Sequence, residues 1–235
     1  MSAEQLRFSQ AEMAVVFQHL WGQPPTSETM MGDLKLNEDS LADGRRSLVD
    51  RGLLFADSRR SDSALSPALE PILAAVTRPQ VLGVLQISRP GKEGWSAYFS
   101  WTPETIVFNQ VAEAGDHLLE KLPGVEAIGK AALHLSGVNG FKKGRAGAAA
   151  DPEAIVREAS IRGIFMAVSD PAAVEPATEA ISWLVSGGEI WLLAAGEGET
   201  PRLKPATAEE VGRQVDLLMN SAVERYREAQ TSPRR

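Results

Sequence analysis

The sequence predicts an α+β fold in which a central antiparallel sheet is flanked by helices, arranged as a pseudo-two-fold internal duplication. Three observations carry this. From Gln80 to Val111 the apolar residues recur with period two, while elsewhere helical spacing dominates. Two helix starts are spelled out by capping boxes, Ser9 with Glu12 and Thr207 with Glu210. Finally, "SLVDRGLLFAD" at 47–57 and "ASIRGIFMAV" at 159–168 both run from a helix-like stretch through Arg-Gly into apolar residues.

The first helix opens at Ser9, with Phe8 and Met13 at hydrophobic-staple positions and Met13, Val16, Phe17 and Leu20 at helical spacing. Gly22, Pro24 and Pro25 stop it, and Met30 to Leu36 carries no clear pattern. A second helix over about 38–51 ends at Gly52, a residue suited to the left-handed position after a helix. "LLFAD" is a short strand and "SRRSDSAL" a polar loop. "SPALEPILAAV" is a helix with Ser66 as cap and Pro67 at its first position. Pro71 marks either a tight first turn or a later start.

"QVLGVLQIS", "WSAYFSW" and "TIVFNQV" then form an antiparallel meander, joined by turns at "RPGKEG" and "TPET". In the middle strand Trp95, Ala97, Phe99 and Trp101 share one face, and Ser96, Tyr98 and Ser100 the other. "EAGDHLLEKL" is read as a helix ending at Pro123-Gly124. The Gly-rich, aperiodic stretch 136–152 is the candidate linker. Beyond it "PEAIVREASIRG" reads as helix, "IFMAV" as strand, and "DPAAVEPATEAISWLV" as a helix capped by Asp170. "GEIWLLAAG" is a strand, and "EGETPRLKP" holds a turn and a short strand. The last helix starts at Thr207 and carries Val211, Val215, Leu218 and Met219 on its apolar face.

The element order therefore repeats, and "SPALEPILAAV" matches "DPAAVEPATEAI" partly letter for letter. This predicts a first α+β half at 1–135, the linker at 136–152, and a second half at 153–230, packed as one domain. Coincidence between Ala-rich, Pro-capped helices is the competing account.

The stretches "RRSLVDRGLL", "ALEPILAAVTRPQVLGVLQIS" and "VFNQVAEAGDHLLEKLPG", with "GEIWLLAAGEGETPRLKPATAEEVGRQVDLLM" near the end, resemble the EspG family of ESX (type VII) secretion-associated chaperones. The resemblance covers most of the chain and lies in apolar positions and Gly or Pro punctuation. It implies a pseudo-two-fold α+β fold with a central sheet flanked by helical bundles, and a cytosolic protein that binds helical secretion substrates. The chain departs from the family in its short second half, and no substrate-binding loop is identified.

Composition narrows the function classes. No cysteine occurs, which removes disulfides, thiol nucleophiles and Cys-based metal sites. No apolar run approaches membrane-spanning length, and the N-terminus reads unlike a signal peptide, so a cytoplasmic location is expected. The formal net charge of −7 disfavours nucleic acid, leaving only "FKKGR" at 141–145 and the terminal "SPRR" as basic patches. His19, His117 and His134 have no metal-ligand spacing, and no serine elbow or phosphate loop occurs. The carboxylate pairs sit at a helix start and in a turn. No enzyme activity, metal or cofactor is expected.

Of the five Trp, Trp95 and Trp101 fall on the apolar strand face, Trp183 and Trp191 in or beside the second-half core, and Trp21 at the end of the first helix. Such aromatics are mostly core, but an exposed one would anchor a partner. The candidate protein-binding residues are Tyr98, on the polar face, with Trp95, Trp101 and Trp191. The expected function is a non-enzymatic protein that buries a partner's amphipathic helices against the sheet and last helices. The alternative is a winged-helix regulator contacting DNA through Arg45, Arg46 and Arg51 on the 45–51 helix. A homodimer through an edge strand of the meander is also open.

Overall fold

The computed structural model describes residues 5–21, 37–56, 63–112, 115–145, 152–194 and 202–231. The expected helix stop at 22–25, the stretch from Met30 to Leu36, most of the polar loop, the middle of the linker, the turn before Arg202 and the terminal "SPRR" lie outside them.

The elements in chain order are β1 (Leu6–Phe8), α1 (Gln10–Trp21), α2 (Glu38–Asp50), β2 (Leu54–Ala56), β3 (Ser63–Leu65), α3 (Glu70–Thr77), β4 (Val81–Arg89), β5 (Lys92–Trp101), β6 (Ile106–Val111) and β7 (His117–Leu122). They continue with α4 (Ile128–Ser136), β8 (Lys142–Lys143), α5 (Pro152–Arg157), β9 (Ile161–Ser169), β10 (Ala177–Ser186), β11 (Glu189–Ala194), β12 (Arg202–Pro205) and α6 (Ala208–Thr231). The sheet order is β1-β7-β6-β5-β4-β9-β10-β11-β12, with β8 added in parallel to β11, while β2 and β3 pair separately. The α+β class with a large antiparallel sheet is thus what the chain adopts. The meander β4–β6 has in-chain neighbours on both sides, β9 and β7, so the self-pairing through its edge is closed to it.

The chain divides into two compact units, Met1–Pro79 with Ser100–Lys121, and Gln80–Phe99 with Leu122–Arg235. In the first unit α1 begins as expected. The Glu12 amide donates to Ser9 Oγ at 3.1 Å and the Ser9 amide to Glu12 Oε2 at 2.7 Å. Phe8 and Met13 are both fully buried beside it. Glu12 Oε1 also accepts from Ser47 Oγ and from Arg51 Nη1, each at 2.7 Å, so one carboxylate ties α1 to the end of α2. Gly52 follows at φ 66°, the left-handed stop read from the sequence. Of the two readings of Pro71, the later start holds, because residues 67–69 form a turn and Pro71 sits in the first turn of α3.

The helix expected at "EAGDHLLEKL" is instead strand β7. Gly115 at φ 81° turns the chain, the Ala112 amide bonds the Asp116 carbonyl at 2.8 Å, and β7 then pairs with β1. His117 and Leu119 are buried with half-buried residues between and after them, an alternation too brief to stand out from the helix-like apolar run.

The second unit holds β4, the first part of β5, and everything from α4 onward. Along β4 and β9 the odd-numbered residues Val81, Leu85, Ile87, Ile161, Phe165 and Ala167 are buried. α6 packs on β4, β9 and β10. Its capping box forms as expected, with the Glu210 amide donating to Thr207 Oγ1 at 3.1 Å and the Thr207 amide to Glu210 Oε2 at 2.7 Å. Of its expected face Val211, Val215 and Met219 are buried and Leu218 half-buried. α4, which the sequence reading did not assign, packs on α6 at two glycines. A Cβ on Gly129 would lie 2.2 Å from the Gly212 carbonyl oxygen. Asp216 Oδ1 accepts the Gly129 amide at 2.7 Å, supplying from α6 a cap that α4's own Ala127 does not provide.

Two second-half expectations are corrected here. α5 ends at Arg157, and Arg162-Gly163 lies inside β9 rather than at a helix end. Gly163 is there because its register partner Trp183 lays its ring over it, with Trp183 Cε2 only 2.1 Å from where a Cβ would stand. The helix expected from Asp170 is a turn followed by β10. Asp170 sits at φ 50°, its amide bonds the Gln80 carbonyl at 2.9 Å, and the Ala173 amide closes back on it at 2.9 Å. Strands on both sides then satisfy β10's backbone while Trp183 and Val185 fill the core, which overrides the helix preference of its Ala and Glu residues. Within the expected linker 136–152, Lys142–Lys143 form β8 against β11. The internal duplication read from the Arg-Gly and Pro-capped matches is therefore not shown.

Candidate functional site

The feature of the second unit that calls for a function is the face of its sheet turned away from α6. On β9 the even-numbered residues are Arg162, Ile164, Met166 and Val168. Ile164 is 38% exposed, and Met166 and Val168 are half-buried. Register extends this face across both neighbours. On β4, Leu82, Val84, Gln86 and Ser88 stand opposite Val168, Met166, Ile164 and Arg162. On β10, Thr178, Ala180 and Ser182 stand opposite Val168, Met166 and Ile164. Antiparallel strands exposed on one face normally alternate apolar-in and polar-out, whereas here both faces of β9 are apolar.

One end of this face is bounded by α5. Arg162 Nη2 donates to the Val156 carbonyl at 2.9 Å. Beyond it Ala159, Leu184 and Trp191 form a small core with Ile155 and Leu203 packed on it. Next to Arg162 a shallow, open depression of about 380 Å³ is lined chiefly by Gln86, Ser88, Trp95, Ser96, Arg162 and Ile164.

The four candidate anchors fare differently. Trp101 and Trp191 are each 5% exposed, so both are core side chains. Trp95 is half-buried and lines the depression. Tyr98 is half-buried rather than fully exposed, and burial pushes its hydroxyl above the ordinary phenol range. Ile164, Met166 and Ala180 were missed, since "DPAAVEPATEAISWLV" at 170–185 read as a helix and "IFMAV" as a strand with no outward face assigned. The alternation Ile161, Gly163, Phe165, Ala167 against Arg162, Ile164, Met166, Val168 was the available signal.

The cations considered for nucleic acid are largely engaged. Lys143 pairs with Glu210 at 3.1 Å and Arg145 with Glu189 at 3.3 Å. Arg51 pairs with Glu12 and Arg46 with Asp43, the latter at 3.4 Å. Of the histidines, His117 is fully buried in β7, its Nδ1 3.1 Å from Asn109 Oδ1. Burial lowers its pKa to about 4, against a smaller opposing effect of Asp116. No helix among the described residues is long and apolar enough to cross a membrane.

No protein-family model matches the chain, and no curated protein matches it. Among solved structures, the fold is similar to that of the Mycobacterium tuberculosis type VII secretion system chaperone EspG5, determined in complex with the PE25-PPE41 dimer. The TM-score is 0.64 at 9% sequence identity, over 92% of this chain and 96% of that chain.

Proposed function

We propose that this chain is a non-enzymatic, cytoplasmic protein-binding protein of the type VII secretion chaperone kind, and that it takes up helical partner segments on the sheet face of β4, β9 and β10. The single observation that carries the reading is the row Ile164, Met166 and Val168, with Val84 and Ala180 beside it, on a sheet whose other face already holds the core. An apolar strip of this kind covers the apolar side of an amphipathic helix. The similar fold belongs to a chaperone solved with a bound protein dimer, which supports the same reading. A dimer of the PE–PPE type is thus the first partner to test, and Trp95 with Tyr98 would stand beside it. The self-association considered from the sequence would have to use the sheet ends, β1 or β12.

The test is co-purification of a tagged chain with a co-expressed PE–PPE pair from the same genome, with Ile164→Glu and Ala180→Glu as variants. Both positions are exposed, so the fold should survive, as circular dichroism would report. A stable complex at high salt that each variant weakens at least tenfold is expected. Undiminished binding by the double variant would move the site elsewhere.

A further inference from the structure

We infer that the depression beside Arg162 is a seat for a carboxylate, supplied by a Glu or Asp side chain on the partner's helix and flanked there by apolar residues. The inference rests on the protein-binding reading above and names what that surface selects. Of the residues that shape the depression, Arg162 alone carries a charge, and Gln86, Ser88 and Ser96 add neutral hydrogen-bonding groups around it. Several other cations of this unit are taken up by acids. Lys143 pairs with Glu210, Arg145 with Glu189, Arg157 with Glu158 and Arg225 with Glu179. Arg162 makes no ion pair among the described residues. Its hydrogen bond to the Val156 carbonyl holds the guanidinium in place without neutralising it. A guanidinium has five N–H donors and Arg162 is exposed, so donors remain for an acid from outside.

A cation with no acid partner among the described residues, next to an apolar strip on a chain of net charge −7, presents charge complementarity at one point. Trp95 and Ile164 flank it with apolar surface, so a helix docked over the depression would cover an ion pair made here and make it stronger than an open surface pair. About 380 Å³ accommodates one or two side chains, while the strip continuing along Met166 and Val168 requires an occupant longer than a free small acid. A helix carrying an acidic residue at the edge of its apolar face meets both requirements.

The experiment uses the full chain labelled with nitrogen-15 and reads its five Trp indole signals, with Trp95 assigned by its loss in Trp95→Phe. The probes are 4-phenylbutyrate and its uncharged isostere 4-phenylbutyramide. The expected result is a saturable shift of the Trp95 signal with the acid, at least tenfold weaker with the amide. Arg162→Gln should abolish the difference, and Arg162→Lys should retain it. Equal responses to acid and amide in the unaltered chain would overturn the seat, whatever the variants do. In the co-purification assay, partner capture indifferent to Arg162→Gln would overturn the seat's role and leave the protein-binding reading standing. An acid-selective seat on a chain that captures no helical partner would overturn the occupant named here and that reading together.

Discussion

At the scale of single residues, two buried ionisable groups set how stability depends on pH. His117 is neutral and enclosed, with a folded-state pKa of about 4 against 6.5 unfolded. The unfolded chain therefore binds its proton first. The stability this gives is complete above about pH 6.5 and is lost as pH falls toward 4. Moving from pH 7 to pH 5 should cost about 2 kcal/mol in urea unfolding, and His117→Gln should remove most of that slope. Glu12 acts in a lower window. Burial alone would raise its carboxyl, but the bonds from the Ser9 amide, Ser47 and Arg51 outweigh burial and hold it below its ordinary value. Its contribution is present above about pH 4.5 and lost as pH drops further, so the two losses are separable on one titration.

Elements show where local sequence suffices and where it does not. α1, α2, the meander, β11 and α6 were legible because their caps, glycines and periods are written in neighbouring residues: Ser9 with Glu12, Gly52, the alternation of 95–101, Thr207 with Glu210. β7 and β10 were not. β7 is short and rich in Leu, β10 begins with Ala and Glu, and both become strands through pairing with other strands, β1 with β7 and β9 with β10. The same non-local dependence hid the candidate site, since the outward row of β9 acquires meaning only once β4 and β10 flank it. α4 depends on α6 in a more direct way. Gly129→Ala would drive a methyl into the Gly212 carbonyl oxygen, where backbone leaves no room. A destabilisation of about 2–3 kcal/mol is expected by chemical denaturation, with Ala at the exposed His134 as a near-neutral helix control.

For the whole molecule, α6 is the element on which the second unit's integrity turns. It lies over β4, β9 and β10 and covers Val81, Leu85, Phe165 and Ala167. Ending the chain at Ala206 should leave that unit without fixed packing, visible as dye binding to apolar surface and loss of near-ultraviolet signal from Trp183. The apolar strip and the acid seat on the other face should lose their geometry with it, because β9 presents both faces at once.

The carboxylate of Asp216 on α6, which closes the first turn of α4, has a consequence for how the protein is born. A ribosome releases β4 and α4 long before residue 216, so α4's Gly129 amide and the α6-facing side of the sheet must wait, unfinished, while the 87 residues after Gly129, up to Asp216, are synthesised. Once β9 has emerged, both of its sides stay uncovered until α6 arrives, which predicts that the nascent chain needs cellular folding factors more than the finished protein does.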